Sequence, residues 1–216
     1  MELARRKERL LERLVADRDL RTDAVRQAFE RVPREIFVPE DVVRDAYADA
    51  PLPIPAGQTI SAPSMIAIML EEGEFRPGHH VLEIGAGSGY NAALLAELVG
   101  PENVVTIERH AELVELARAN LRRAGYHVEV VLGDGSLGYP PRAPYDRIIA
   151  TAGAPRLPRG WGEQLRTGGR IVAPLGPSTF HQVLTVADKQ ADGTLRTRQG
   201  VECAFVPLIG AEAWRG

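Results

Sequence analysis

Short apolar runs, glycines and acidic residues follow one another in the middle of the chain. The run Val81–Ile84 leads into a turn with glycines at 85, 87 and 89, and a helical pattern extends from Asn91 to Val99. Alternating glycines allow the backbone to turn sharply with no Cβ between it and a ligand. A helix directly after such a turn points free N–H groups and the positive end of its dipole at it. This pattern indicates a nucleotide-type cofactor site.

The spacing of the glycines narrows the kind of cofactor. A dinucleotide fingerprint has the spacing G-x-G-x-x-G, but Tyr90 holds the position of the third glycine here. No Gly-Lys-Ser or Gly-Lys-Thr sequence occurs, which excludes a P-loop. The turn also contains no lysine or arginine for a pyrophosphate, so a cofactor without phosphate groups is favoured.

Three acidic residues point to the same conclusion. Glu83 precedes the first glycine by two residues, Glu108 ends the next apolar run, and Asp134 stands between two glycines after the third run. At the carboxyl ends of parallel strands they would share one crevice. We expect Glu83 to order the turn and favour a cation, Glu108 to bind ribose hydroxyls, and Asp134 to accept from an adenine amino group. A single such acid can be a surface charge or turn former, but the set favours S-adenosylmethionine.

The elements that must position these residues alternate between strand and helix. Apolar runs predict buried strands at Val81–Ile84, Val104–Glu108, Val128–Leu132, Arg147–Thr151 and Ile171–Leu175. Helical patterns lie at Asn91–Val99, Ala111–Ala124 and near Trp161–Leu165. This order predicts an α/β fold, a Rossmann-like, doubly wound, mostly parallel sheet with helices on both faces.

The segment before this core predicts helices and then an ordered loop. Residues 1–31 have a helical pattern, with Thr22 as the candidate N-cap of a second helix. Residues 33–63 carry six prolines together with many apolar residues, which favours an ordered loop over the core rather than disorder. A further helical pattern starts at Ser64.

The C-terminal part changes to an alternating pattern. Asp192-Gly193 between Gln182–Ala187 and Leu195–Val201 predicts a β-hairpin, and Phe205–Ile209 predicts a further strand. We expect a single domain over residues 1–216, made of an N-terminal part (1–63), a cofactor-binding core (64–176) and a C-terminal β region (177–216).

Composition excludes several classes of protein. The net charge of −3 over 216 residues argues against a nucleic-acid partner, because proteins that bind nucleic acid are commonly basic. One cysteine, Cys203, cannot form an internal disulfide and is expected to be a buried, inert thiol. The five histidines have no metal-ligand spacing, so no metal is expected. The first residues resemble neither a signal nor a transit peptide, and no apolar run is long enough to cross a membrane, so a cytoplasmic location is expected.

Residues 46–65, AYADAPLPIPAGQTISAPSM, resemble the active-site loop of the protein-L-isoaspartate O-methyltransferase family. The resemblance continues through VLEIGAGSGYNAALLA, LGDGS, LRTGGRIVAPLG and CAFVPLIG, and so covers most of residues 30–210. The string PLPIPAGQTISAP is highly specific, whereas many methyltransferases share the glycine turn.

The resemblance implies a repair reaction. It implies methyl transfer from S-adenosylmethionine, with S-adenosylhomocysteine as product, to the α-carboxyl group of L-isoaspartyl residues in damaged proteins and peptides. The ester then closes to a succinimide, which reopens partly to aspartate. The resemblance implies Ser61 as the catalytic hydroxyl. The implied cofactor-binding residues are Thr59, Ile60, Ser61, Glu83, Gly85, Ala86, Gly87, Gly89, Glu108, Arg109, Gly133, Asp134 and Gly135. The implied substrate-binding residues are Ser61, Val206, Pro207 and Leu208.

Several alternatives stay open from the sequence. Ser61 can instead cap a helix that begins near Ala62. Ser64 stands where the family commonly has histidine, so no contact of that ring is transferred to this chain. A methyltransferase acting on RNA or a small molecule would share the glycine turn and the acidic residues. A third hypothesis is a regulator that binds the cofactor but has no activity. We expect isoaspartyl proteins and peptides as partners, no nucleic acid, no membrane, and a monomer.

Overall fold

The structure is a computed structural model that describes residues 2–178 and 181–215. Its α-helices are α1 Glu2–Ala16, α2 Asp23–Arg31, α3 Pro63–Gly73, α4 Tyr90–Val99, α5 Ala111–Arg123 and α6 Arg159–Gln164. Its strands are β1 Leu52–Ile54, β2 Gln58–Ile60, β3 Val81–Ile84, β4 Val104–Glu108, β5 Glu129–Leu132, β6 Tyr145–Ala150, β7 Leu165–Ser178, β8 His181–Lys189 and β9 Leu195–Cys203.

Seven strands form the central sheet in the order β5-β4-β3-β6-β7-β8-β9. The first five are parallel, whereas β8 and β9 are antiparallel to their neighbours. Successive residues of a strand face opposite sides of the sheet. Leu82 accordingly packs into the buried cluster on one face and Val81 into the cluster on the other. The predicted α/β, mostly parallel fold with a C-terminal hairpin is confirmed.

The carboxyl ends of the parallel strands form the edge that carries the glycine turn. Val81 of β3 pairs in register with Val104 of β4 and with Arg147 of β6, so the three strands end side by side. The strand order reverses at β3, because β4 lies on one side of it and β6 on the other. Ligands of open α/β sheets bind at such a switch point.

The N-terminal helices cover the face of the sheet that carries α3, α4 and α5. Thr22 caps α2 as predicted, with its hydroxyl accepting from Val25 N at 3.4 Å. Leu14, Val25 and Phe29 are buried against this face. The second face is covered by α6, short 3₁₀ turns and the C-terminal segment, with Trp161 of α6 fully buried there.

The proline-rich segment 33–63 is ordered, as predicted, and contains regular structure that the sequence pattern did not indicate. Two 3₁₀ helices, Arg34–Phe37 and Glu40–Asp45, precede a two-stranded antiparallel hairpin made of β1 and β2. Leu52 pairs with Ile60 across the hairpin, and both are buried. The hairpin fixes the backbone just before Ser61.

One sequence-based expectation is wrong in this structure, and one of the open alternatives is excluded. Phe205–Ile209 is not a strand, because only single β-bridges, such as Gly153 with Pro207, occur there. Ser61 does not cap α3, since the N-cap position is Ala62 and the helix begins at Pro63. The helix is capped from a distance: Asp49 Oδ1 accepts a hydrogen bond from Ser64 N at 2.8 Å.

Across the part of the chain that the structure describes, we find no helix that combines the length and the hydropathy of a membrane span. A cytoplasmic location stays a prediction.

Candidate functional site

The glycine turn after β3 requires glycine at its first position. Gly85 has a φ of 95°, in the region that residues with a Cβ rarely adopt. A Cβ added there would lie 2.6 Å from Thr151 Oγ1. The Thr151 hydroxyl donates to Gly85 O at 2.7 Å, which joins the ends of β3 and β6. The turn is therefore held by a side chain from the neighbouring strand, and its surface is left open.

Glu108 joins the turn to the end of β4. Its Oε2 accepts from Gly87 N at 3.1 Å, and its Oε1 accepts from Arg109 N at 2.8 Å and His110 N at 3.1 Å. Because each carboxylate oxygen has two lone pairs, these three donors leave one acceptor site free, on Oε2. Glu108 also lines a cavity beside the turn. It is thus placed to accept a hydrogen bond from a ribose hydroxyl group.

Glu83 lies behind the turn and outside the cavity linings. Its side chain is fully buried, and Oε1 accepts from Asn91 Nδ2 at 2.8 Å. Oε2 and the Thr106 hydroxyl on the adjacent strand have no hydrogen-bond partner among the residues that the structure describes. Burial raises the pKa of the Glu83 carboxyl to about 7, the nearby Thr106 hydroxyl and the Asn91 amide lower it in part, and the charge of Glu108 adds to the rise.

Asp134 holds the C-terminal segment against β5. Its Oδ1 accepts from the Ser136 hydroxyl at 2.7 Å, and its Oδ2 accepts from Ala211 N at 2.8 Å. Ser136 Oγ in turn accepts from Glu212 N at 3.0 Å. Burial opposes ionisation of Asp134, but the hydrogen bonds from Ala211 and Ser136 outweigh it and lower the pKa of this carboxyl. The side chain does not line the neighbouring cavity, although Gly135 does.

Three adjacent cavities form one cleft along the carboxyl edge of the sheet. The large cavity, of about 210 Å³, lies over the glycine turn and Glu108. The middle cavity, of about 40 Å³, lies between the turn and Ser61. The outer cavity, of about 130 Å³, lies on the far side of Ser61. Because Thr59 and Thr151 line all three, the cavities are neighbours within a single cleft.

The far wall of the cleft comes from the C-terminal segment. Gly153 N donates to Val206 O and Leu208 N donates to Gly153 O, both at 2.8 Å, so the segment runs along the end of β6. Cys203 is half-buried and lines the outer cavity, which differs from the fully buried thiol expected from the sequence. Burial raises the pKa of its thiol to about 11, so the thiolate is scarce at neutral pH.

Most residues singled out from the sequence meet in this cleft. Those that line it are Thr59, Ile60, Ser61, Gly85, Ala86, Gly87, Glu108, Arg109, Gly135, Val206, Pro207 and Leu208. Those that lie outside its lining are Glu83, Gly89, Gly133 and Asp134. The first set therefore forms walls of the cleft.

The chain as a whole matches one family of proteins. The family model "Protein-L-isoaspartate(D-aspartate) O-methyltransferase (PCMT)" matches residues 5–213. The chain belongs to this family.

Individual relatives agree with the family model along nearly the whole chain. A protein-L-isoaspartate O-methyltransferase of Methanopyrus kandleri is 53% identical over 214 residues, which are 98% of this chain and 94% of that relative. One of Pyrococcus horikoshii is 49% identical over 215 residues, 99% of this chain and 97% of the relative. The resemblance drawn from the 46–65 loop is confirmed, and a methyltransferase acting on RNA or a small molecule is not favoured.

Solved structures give the same result for the fold. A protein-L-isoaspartate O-methyltransferase structure has a TM-score of 0.83 at 32% identity and covers 96% of this chain, while this chain covers 67% of that one. A second structure, of a Plasmodium falciparum protein described as a protein-L-isoaspartate O-methyltransferase, was solved in complex with S-adenosyl-L-homocysteine. It has a TM-score of 0.81 at 25% identity, and the match covers 93% of this chain and 96% of that one.

Sequence reasoning missed several residues of the site. Thr151 lines all three cavities and holds Gly85, and the rule that ligands bind at the carboxyl ends of parallel strands would have drawn attention to it. Asn91 is the partner of Glu83, and no sequence pattern indicates it. Arg34 donates to Ser61 O at 2.8 Å and is fully buried, for which the sequence carries no signal.

Proposed function

We propose that this cleft transfers the methyl group of S-adenosylmethionine to the α-carboxylate of L-isoaspartyl residues. The chain is a protein-L-isoaspartate O-methyltransferase by family, and the enzymes of this family repair damaged proteins with this cofactor. The proposal assigns the residues that carry the reaction in this chain. The observation that carries it is the position of Ser61, which lines both the middle cavity beside the glycine turn and the outer cavity.

The chemistry of the large cavity fits the cofactor. When bound, S-adenosylmethionine supplies an electrophilic methyl group on a sulfonium centre. Gly85 and Gly87 leave room for backbone approach, and Glu108 retains acceptor capacity for a ribose hydroxyl. Apolar side chains, including Ile107 and Leu113, complete the walls, as expected for a flat adenine ring.

The acceptor needs positioning rather than a general base. A carboxylate with an ordinary pKa of about 3.5 to 4 is already ionised at neutral pH. Ser61 can donate a hydrogen bond to one carboxylate oxygen and leave the other free to attack. Thr59 lies on β2 just before it, where the hairpin fixes the backbone. Holding the two reactants in line contributes by proximity.

The outer cavity gives the substrate chain a place beside Ser61. Met65, Phe205 and Val206 line it, so it can take an apolar neighbour of the isoaspartyl residue. Backbone groups of Val206 and Leu208 are bonded to Gly153 and therefore form a fixed wall. We assign Val206, Pro207 and Leu208 to the substrate side of the cleft.

The test is methyl transfer to matched peptides. Two peptides of one sequence, one with L-isoaspartate and one with L-aspartate, are incubated with labelled S-adenosylmethionine. Base-labile label is expected on the isoaspartyl peptide alone. Absence of label on that peptide, with cofactor binding intact, would refute the proposed reaction and favour a binding protein without activity.

We further propose that the enzyme acts as a monomer on isoaspartyl proteins and peptides and without a nucleic-acid partner. Its large exposed apolar side chains are scattered in the described part of the chain, at Val15, Leu132, Leu137 and Val201. Such scatter is ordinary for a monomer surface. Sedimentation at micromolar concentration should give a mass near the chain mass of 23.5 kDa.

A further inference from the structure

Arg34 is a fully buried cation beside the site. It stands at the start of the 3₁₀ helix Arg34–Phe37, and none of its side chain is exposed to solvent. Its Nε donates to Ala46 O and its Nη2 donates to Ser61 O, each at 2.8 Å. One guanidinium therefore joins two separate parts of the proline-rich segment and fixes the carbonyl of Ser61.

Within the described part of the chain, no carboxylate is in direct contact with this charge. In residues 2–178 and 181–215, no carboxylate oxygen lies within 4.0 Å of the Arg34 nitrogens, and Nη1 has no hydrogen-bond partner. The guanidinium carbon lies 4.9 Å from the ring centroid of Tyr90, the residue that follows the glycine turn. Burial lowers the pKa of Arg34, while Tyr90, Tyr47 and Asp49 favour its charged form. Arginine remains protonated in proteins.

A buried charge without a carboxylate in direct contact is costly, so its position demands a physical reason. In a low-dielectric interior its field extends further than at the surface. Arg34 donates to the carbonyl of Ser61, which lines the cleft where the proposed acceptor is an anion. The hydrogen bond to the Ser61 carbonyl and the electric field of the Arg34 guanidinium therefore both act at Ser61.

We propose that Arg34 is a positioning residue of the acceptor site, which holds the Ser61 backbone in place and favours a carboxylate next to the Ser61 hydroxyl. This inference rests on the proposed function. It predicts two separable effects, one from the fork-shaped pair of hydrogen bonds and one from the charge.

Two variants separate these effects. Arg34→Lys retains the charge but cannot hold both carbonyls in one rigid fork. Arg34→Gln loses the charge as well. Because a hydrogen bond to a charged group contributes about 1.5 to 3 kcal/mol, Arg34→Lys should lower kcat/KM for the isoaspartyl peptide about ten- to a hundredfold. Arg34→Gln should in addition raise KM for the peptide about fivefold over the lysine variant, since an anionic ligand loses its buried cation.

A matched control is available at Arg147. This half-buried arginine also donates to a backbone carbonyl, Gly73 O at 2.7 Å, but it lies in β6 near the amino end of the strand, away from the cleft. Arg147→Lys should lower the unfolding midpoint comparably and leave the kinetic constants within twofold of wild type. Affinity for S-adenosylhomocysteine, measured by calorimetry, should stay within about threefold in all variants.

The outcomes are distinguishable. Failure of the wild type to methylate the isoaspartyl peptide refutes the proposed function, not the role of Arg34 alone. Wild-type activity with kinetic constants of Arg34→Lys and Arg34→Gln no different from those of Arg147→Lys overturns this inference. Equal KM in the two Arg34 variants overturns its charge component. If Arg34→Lys does not fold, the kinetics of Arg34→Gln decide on the same criterion.

Discussion

At the scale of single residues, Ser61 has the central position in the proposed reaction. Its backbone is fixed on one side by β2 and through its carbonyl by Arg34, and it lines two of the three cavities. Its hydroxyl is not used as a helix cap, because Asp49 provides that acceptor. The hydroxyl is therefore free for an acceptor carboxylate.

Replacing Ser61 with alanine should lower turnover more than cofactor affinity. The lost hydrogen bond to a carboxylate corresponds to about 1.5 to 3 kcal/mol, or about ten- to a hundredfold in kcat/KM for the peptide. S-adenosylhomocysteine affinity should change less than about threefold, since the glycine turn and Glu108 are untouched. Steady-state kinetics and calorimetry measure the two effects. The reverse pattern would reject the orienting role.

Glu83 predicts a pH dependence of stability. Its folded-state pKa is raised to about 7, so the folded protein binds this proton more tightly than the unfolded chain does. The stability contribution is thus fully present below the unfolded pKa of about 4.3 and is lost as pH rises through about 7. Between pH 5 and pH 8 the wild type should lose about 2 to 3 kcal/mol from this group.

The variant Glu83→Gln isolates this contribution, since its amide does not titrate. The free energy of unfolding is measured in urea for both proteins. The difference between the variant and the wild type should shift in favour of the variant by about 2 to 3 kcal/mol as pH rises from 5 to 8. Other titrating groups are shared by the two proteins and cancel in the difference. Parallel pH profiles would show that Glu83 ionises normally in the folded state.

At the scale of elements, the start of α3 shows how a long-range contact replaces a local one. The local pattern favours Ser61 as the cap, but the chain turns so that Asp49 Oδ1 accepts from Ser64 N at 2.8 Å. Asp49 Oδ2 also pairs with Arg13 of α1 at 3.1 Å. One carboxylate therefore connects the first helix to the helix that follows the active-site loop.

Asp49→Ala should lower the free energy of unfolding by about 1 kcal/mol, the usual cost of losing a helix cap. Asp49→Asn keeps an acceptor and should lose less. Ser61→Ala should cost below about 0.5 kcal/mol, because no cap is lost. Urea unfolding of the three variants gives the comparison, and a larger loss for Ser61→Ala than for Asp49→Ala would contradict it.

The sequence predicts elements well where one physical signal determines them. The strand β4 coincides with the predicted Val104–Glu108, because a short apolar run bounded by turn residues has few other solutions. Phe205–Ile209 has the same local signal but is no strand, since its backbone bonds to Gly153 outside the edge of the sheet. Likewise, no local pattern shows that Arg34 is buried or that Asp134 bonds to Ala211. These depend on contacts between residues far apart in sequence.

At the scale of the whole molecule, the cleft closes only because the C-terminal segment returns to it. Ile209 lines the large cavity, and the segment beyond it is held by Asp134 and Ser136. Gly210 lies directly against these two side chains, so that a Cβ there would overlap the Asp134 carboxylate and the Ser136 hydroxyl.

Gly210→Ala should therefore loosen the wall of the large cavity. We expect S-adenosylhomocysteine to bind about tenfold more weakly, corresponding to about 1.4 kcal/mol, with the fold retained. Gly200→Ala is the control, because a Cβ on β9 would make only a close contact with Leu184 and lies in the hairpin. Calorimetry on both variants tests the expectation, and unchanged affinity for Gly210→Ala would show that the segment does not shape the cavity.

Three distant parts of the chain form the cleft: the glycine turn, the active-site loop and the C-terminal wall. These parts leave the ribosome at different times. During synthesis, the floor of the cleft at residues 81–151 leaves the ribosome well before Val206–Ile209. Synthesis proceeds from the N-terminus, so the earlier parts of a chain are exposed before the later ones. A nascent or prematurely ended chain can thus form the floor without the wall that faces the substrate. We expect methyl transfer to begin only after Val206–Ile209 have left the ribosome, so that unfinished chains without this wall are inactive.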